Sequence, residues 1–280
     1  QGFDGQIGYR QKFGDFQFNT NFVFSYAKNK IEYQAEAQQI YPWLASTGHS
    51  IGQPFGYTWE GYYTPDDIAK IKAGATDAPA VPNTDIPVQA GDLKYKDLNG
   101  DGIINDYDKS AIGKPNLPNT TLGWTVGGSW KGLTLSVLFQ GSFNYSFSVV
   151  GTGIEPFKSQ FQPLHLERWN LERYENGEPI NFPRLTSNGN TVNSAQAYMS
   201  DFWLVDAWYI RLKTIDLSYD FPKKYTPRFL SGLRLYMNAY NLFTWTSYDK
   251  YQQDPEIKTN SAGDAYMNQR VINFGISLSL

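Results

Sequence analysis

The chain has 280 residues, with 24 Lys and Arg against 27 Asp and Glu, no Cys and two His, His49 and His165. A net charge of −3 without any Lys/Arg block excludes a nucleic-acid footprint, and the missing Cys excludes disulfides and thiol chemistry. Aromatic residues make up 16% and charged residues only 18% of the chain, and no apolar run approaches the ~18 residues of a membrane helix.

The first segment, about 3–12, alternates Phe3, Gly5, Ile7 and Tyr9 with Asp4, Gln6, Gly8 and Arg10. A period of two is the signature of a strand with two different faces. "FGD" (13–15) reads as a tight turn. A second strand, about 16–27, sets Phe16, Phe18, Thr20, Phe22 and Phe24 against Gln17, Asn19 and Asn21.

A long connection follows, about 31–120. It holds Tyr41, Trp43, Phe55, Tyr57, Trp59, Tyr62 and Tyr63. Aromatic side chains in a loop pack the loop, contact a partner or form a platform for a ligand. Trp43, Tyr57, Trp59 and Tyr62 are the candidates for ligand or partner contact. Asp66 and Asp67 stand at a helix start, where acids complement the helix dipole.

Within that connection, "DLNGDGIINDYD" (97–108) has the pattern of a calcium loop. Calcium takes oxygen ligands from positions 1, 3, 5, 7, 9 and 12 of such a loop, with glycine at 6 for the turn. Those positions are Asp97, Asn99, Asp101, the Ile103 carbonyl, Asn105 and Asp108, with Gly102 at the sixth. Position twelve carries aspartate where the usual residue is glutamate. The other reading is a polar Asn/Asp/Gly turn without metal. No helix enters the loop and no second copy exists, so a calcium ion would act as a static staple.

Five more strands follow. Residues 121–130 alternate Leu122, Trp124, Val126 and Trp130 with Gly123, Thr125, Gly127 and Ser129. Residues 133–145 continue after the tight turn "KG" (131–132). Residues 208–220 are strand with a mixed phase, in which Arg211 and Lys213 share a face with Ile215, Leu217 and Tyr219. Residues 233–244 and 270–280 close the set, the last placing Ile272, Phe274, Ile276, Leu278 and Leu280 against Asn273, Gly275, Ser277 and Ser279.

Seven strands of this length suit a tilted crossing of a bilayer, which takes about nine to eleven residues. Tyr9, Tyr26, Trp130, Tyr145, Trp208, Tyr219 and Trp245 lie near strand ends, as in interfacial girdles. The polar faces of Gly, Ser, Thr, Asn and Gln suit a wet lumen. Short and long links alternate, which predicts periplasmic turns at 13–15, 131–132 and 221–231 and extracellular loops at about 31–120, 146–207 and 245–269. The fold class is therefore all-β: seven strands of a large antiparallel transmembrane β-barrel. Bare sheet edges cannot sit in lipid, so the remaining strands are expected on another segment. Arg10, Arg211, Lys213 and Arg234 are expected to face the lumen and pair with acids of the wall or plug.

Several segments together resemble the C-terminal barrel portion of the SusC/RagA family of TonB-dependent transporters from Bacteroidetes outer membranes. They are "IGQPFGYTWEGYYTPDDI" (51–68), "GDLKYKDLNGDGIINDYDKSAIGKPNLPNTTLGW" (91–124), "KGLTLSVLFQGS" (131–142), "ERWN" (167–170) with "PRL" (183–185), "SDFWLVDAWYIRLKTIDLSYDFP" (200–222) and "LRLYMNAYNLFTWTSYDKYQQDPE" (233–256). Trp208 and Leu280 depart from the family pattern. The resemblance implies a barrel of about 22 strands with a plugged lumen. It also implies a SusD-like lipoprotein over the outer mouth, coupling to the TonB complex through a region outside this chain, and import of oligosaccharides or peptides. Glu167, Arg168, Trp169 and Arg184 are pattern residues expected to lock loops. The competing readings are a secreted calcium-binding β-sandwich or adhesin, a glycan-binding module, and a calcium-dependent hydrolase. No Ser-His-Asp, HExxH, Walker or Gly-rich phosphate signature is present, and no enzyme is expected.

Overall fold

The computed structural model describes residues 1–150, 154, 157, 161–187, 192–257 and 266–280. Seven strands form one sheet: β1 (Gly2–Phe13), β2 (Phe16–Ala27), β3 (Thr120–Trp130), β4 (Leu133–Ser148), β5 (Leu204–Asp220), β6 (Gly232–Thr246) and β7 (Val271–Ser279). Each pairs antiparallel with its sequence neighbour, so the sheet is a plain meander with β1 and β7 at its edges.

The register sets the two faces. Phe13 opposes Phe16 across the first turn, and Trp130 opposes Leu133 across the second. In β7, Ile272, Phe274, Ile276 and Leu278 oppose Ala239, Met237, Leu235 and Leu233 of β6. These rings and aliphatic chains are uncovered: Phe274 is 79% exposed, Ile276 65% and Phe3 62%. An uncovered apolar face running across seven strands far exceeds the few hundred Å² that soluble monomers tolerate. The opposite face carries amides, hydroxyls and charges. Gln6 Nε2 donates to Asn21 Oδ1 at 2.7 Å, and Arg234 donates Nε–H and Nη2–H to the two carboxylate oxygens of Asp220 at 2.6 and 2.8 Å.

Two sequence expectations change. The mixed phase of the 208–220 segment is a β-bulge. Leu212 opposes Phe139, Thr214 opposes Leu138, and Lys213 is the extra residue between them. A bulge inserts one residue and shifts the alternation by one. Arg211 therefore leaves the face of Ile215, Leu217 and Tyr219 and joins the polar side with Asp216 and Ser218. Tyr145, expected in an interfacial girdle, is only 6% exposed, with its hydroxyl 3.2 Å from that of Tyr248. It belongs to a core above the sheet, because β4 and β5 are 16 and 17 residues long and rise beyond their neighbours.

The short links are Gly14–Asp15, Lys131–Gly132 and the longer turn 221–231, all at one end. The long connections 28–119, 149–203 and 247–270 all leave from the other end.

The two faces make a direct comparison possible. In the full-length protein folded in lipid, Ile276→Arg is expected to cost about 2 kcal/mol, while Ser277→Arg, one residue along on the polar face, costs much less. Denaturant titration in vesicles reads both.

Candidate functional site

The hydrophobic core of the chain lies in its loops. Tyr57, Leu93, Tyr95 and Ile104 from the first long connection pack with Phe182, Val192 and Trp203 from the second. Tyr145, Phe147 and Ala207 at the tops of β4 and β5 and Tyr248 after β6 complete it. Backbone bonds join the two connections directly, with Tyr57 N–H donating to Met199 O at 2.8 Å and Asp201 N–H to Tyr57 O at 3.2 Å.

A polar clamp sits against this core. Asp92 is 1% exposed. It takes Arg184 at 2.6 Å, Asn193 Nδ2 at 2.7 Å and Gln89 N–H at 2.8 Å. Asn193 Oδ1 in turn accepts Leu93 N–H at 2.8 Å. Trp169 N–H bonds Phe182 O at 2.7 Å, and its ring presses on Gly91, where a Cβ would meet ring carbons at 2.4 Å. Gly91 also has a φ of +87°, so glycine suits both its space and its backbone. Trp169 and Arg184 thus act as the loop locks expected of them. Glu36 is a further lock: N–H and hydroxyl groups of Ser46 and Thr47 surround its carboxylate. The Ser46 N–H, followed by the Thr47 groups and Gln34, holds that carboxyl far below the usual range.

The aspartate loop is ordered by its own side chains. Asp97 accepts Gly100 N–H at 2.6 Å and Gly102 N–H at 2.8 Å. Asn99 and Asp101 accept the N–H groups of Asp101 and Ile103 at 3.0 and 2.8 Å. Gly100 and Gly102 have φ of +76° and +80°. Ile104 is buried in the loop core, and Ile103 pairs with Val81. Asn105 and Asp108 form a reciprocal cap, and Asp108, fully buried, also accepts Leu98 N–H at 2.9 Å. All six positions offer oxygen, as a hard cation requires. None of the Asp97, Asp101 and Asp108 carboxylates has an ion-pair partner among the described residues, whereas Asp106 is held by Lys109 at 2.7 Å. The donor chemistry fits calcium. The carboxylates are spread along the loop, and among the described residues no three acids, histidines or cysteines converge into a metal-holding group.

The four aromatic candidates separate. Trp43 stacks on Tyr41 with centroids 4.6 Å apart, and its Nε1–H donates to Tyr107 O of the aspartate loop at 2.7 Å. Tyr57 is core, 3% exposed and packed on Tyr95 and Tyr198. Burial pushes its hydroxyl well above the ordinary tyrosine range. Trp59 and Tyr62 pack edge-on around Phe202. The four therefore do not line one surface.

A different cluster joins loop and wall. Arg211, 2% exposed on the polar face, donates Nε–H to Thr244 Oγ1 at 2.9 Å. It pairs with Asp254 at 2.9 Å and Glu256 at 2.6 Å from the third long connection. Lys213 reaches the same Glu256 oxygen at 2.6 Å. Pairing of Arg211, Lys213 and Arg234 with acids follows the sequence expectation, but the acids come from the adjoining loop and strand. Sequence reading missed Asp254 and Glu256 because nothing local ties them to a bulge more than forty residues away. Beside the cluster, Glu256, Tyr209, Ser142, Tyr145 and Leu117 line a cavity of about 520 Å³. A second, of about 470 Å³, lies under the loops between Phe182, Phe202, Trp203, Glu167, Asp249 and Tyr251.

Arg211→Met leaves Glu256 with Lys213 and Asp254 with no ion-pair partner among the described residues. It is expected to lower stability by about 3 kcal/mol. Adding Asp254→Asn and Glu256→Gln recovers much of the loss, as read by thermal unfolding of the full-length protein in detergent.

No family model matches the chain. TonB-dependent receptor P3 of Formosa agariphila is 24% identical over 296 residues, covering 94% of this chain and 27% of the receptor. TonB-dependent receptor P26 of the same organism is 27% identical over 213 residues, covering 69% of this chain and 20% of the receptor. Among solved structures, the RagAB peptide importer in its open-open state matches with a TM-score of 0.69 at 19% identity, over 100% of this chain and 28% of that one. Its closed-closed state gives 0.66 at 19% identity, over 99% and 29%. The chain thus spans less than a third of the length of these relatives, which are receptors and an importer rather than enzymes. Sequence and fold agree: in sequence the chain is similar to part of two TonB-dependent receptors, and in fold, over its whole length, to part of the RagAB importer.

Proposed function

We propose that this chain forms part of the wall and outer loops of an active importer that draws nutrient oligomers, oligosaccharides or peptides, across the outer membrane. The observation that supports it most is the sheet itself. One face is uncovered and apolar, the other is polar, and β1 and β7 end in unpaired edges. Lipid tolerates no open edge, so the edges pair with the rest of a barrel and the amide-rich face lines its lumen. A β-sandwich or adhesin would cover the apolar face with a second sheet, and here that face is bare.

In this reading the short turns face the periplasm and the loop body faces outward. The described part of the loop body has its own buried core, and a SusD-like lipoprotein is its proposed partner. Energy enters through the TonB complex and a plug, both outside this chain. The polar wall gives a passing oligomer hydrogen-bond partners without an apolar surface on which to stall. Substrate class is tested with the intact receptor. Deleting its gene is expected to abolish uptake of labelled oligosaccharide or labelled peptide, whichever is the cargo, and affinity purification from detergent-solubilised outer membranes to bring down a lipoprotein in near-equal amount. Wild-type uptake of both cargoes in the deletion strain would sink the reading, as would a receptor monodisperse in plain buffer.

We also propose that Asp97, Asn99, Asp101, Asn105, Asp108 and the Ile103 carbonyl hold one calcium ion as a static staple. Support comes from an all-oxygen donor set with three carboxylates lacking cationic partners. Elemental analysis of the native receptor is expected to find about one calcium per chain, lost in Asp97→Ala combined with Asp101→Ala. Equal calcium in both proteins would refute it.

A further inference from the structure

The turn between β5 and β6, residues 221–231, differs from the other two short turns. They are two residues long, and Lys131 of one pairs with Asp15 of the other at 3.5 Å. The 221–231 turn contains Lys223, Lys224 and Arg228 and no acid. The carboxylate next to it in sequence, Asp220, is taken by Arg234. None of the three bases has an ion-pair partner among the described residues.

The turn is built rather than slack. Pro222 and Pro227 restrict it, Tyr225 N–H bonds Pro222 O at 2.9 Å, and Leu230 N–H bonds Pro227 O at 3.0 Å. Thr226 and Leu230 are buried at 8% and 5%, while Tyr225 and Phe229 stand out at 66% and 74%. Exposed rings on an ordered turn need a reason, since the fold has buried their neighbours. Lys223 Nζ donates to Leu230 O, and Lys224 Nζ lies 5.6 Å from the Tyr225 ring centre. The turn continues the apolar face: Phe221 packs edge-on against Tyr219 at 4.8 Å, and Leu233 opens the next strand on that side. Along the same end Trp130 is 52% exposed beneath Lys131. Rings and cations interleaved at the end of an apolar band match a membrane interface, where aromatic residues sit at headgroup level and basic residues meet phosphate.

We propose that the β5–β6 turn is a membrane foot: Lys223, Lys224 and Arg228 bind the phosphates of anionic phospholipid headgroups in the leaflet beside it, and Tyr225 and Phe229 insert between those headgroups. This rests on the membrane reading of the apolar face. It adds a lipid preference that the strand pattern does not require.

The full-length receptor is purified in mild detergent and placed in nanodiscs of phosphatidylglycerol mixed with phosphatidylcholine. Bound lipid is then counted by native mass spectrometry. Wild type is expected to retain phosphatidylglycerol over phosphatidylcholine. Lys223→Gln with Lys224→Gln and Arg228→Gln is expected to cut that retention on the order of five-fold or more, with the heat-modifiable migration of a folded barrel unchanged. Tyr225→Ser with Phe229→Ser lowers retention of both lipids. Unchanged phosphatidylglycerol retention in the triple variant overturns the proposal. So does loss of the preference on adding millimolar inorganic phosphate, which marks a free-anion site, or retention of a protein partner in place of lipid. A receptor soluble without detergent would instead overturn the membrane reading.

Discussion

The constraint from which the rest follows is that this sheet cannot be satisfied by these seven strands alone. Its meander pairs every inner strand, but β1 and β7 keep a free row of N–H and C=O groups each. Its outward side chains meet one another, as Trp124 meets Phe139, but stand exposed. Water would penalise the apolar face and lipid would penalise the edges. Only a closed barrel in a bilayer meets both demands. The size of the uncovered face therefore decides more about this protein than any single residue does.

That constraint also explains where the hydrophobic core went. In a soluble sheet protein the apolar face would make the core. Here the face is committed to lipid, so the chain builds its buried cluster from loop residues at one end. Tyr57, Tyr95, Phe182 and Trp203 come from two connections joined through Met199, Asp201, Asp92 and Arg184. The long upper ends of β4 and β5 carry Tyr145, Phe147 and Ala207 into this cluster and so fasten the loop body to the wall. The aspartate loop enters it through Ile104, while Trp43 holds the loop at Tyr107 O. Ordering so much loop is costly in conformational entropy, and the clamp around Asp92 and the carboxylate cage at Glu36 offset that cost locally.

The bulge at Lys213 is the second device. One added residue turns Arg211 from the lipid side to the lumen, where Asp254 and Glu256 meet it. A guanidinium facing lipid near the middle of a bilayer is expensive. The same guanidinium inside joins the third long connection to the wall beside a cavity. A local irregularity of the ladder is thus what makes the charge tolerable and what positions the loop. The 221–231 turn works in the opposite sense: among the described residues its bases have no ion-pair partner, and they stand at the sheet's other end, where charge can meet headgroups.

The sequence by itself determined the strands, their two faces and the alternation of short and long links. A period of two survives in any context that has one polar and one apolar side. It also determined the tight glycine turn of the aspartate loop, because Gly100 and Gly102 must adopt positive φ between short acceptor side chains. Only the tertiary structure decided which aromatic residues are surface and which are core. Tyr57 and Trp43 look alike in the chain, and they differ because Tyr57 bridges to Ser200, gives its N–H to Met199 O and lies under the rings of Tyr95 and Tyr198. It also decided the place of Tyr145 and the phase of β5. The mixed alternation around Arg211 was visible as an irregularity, but its resolution depended on the register of β4 and β6. The Asp92–Arg184 and Arg211–Glu256 pairs form only when separate connections fold back on one another, and no local pattern encodes such distant contacts.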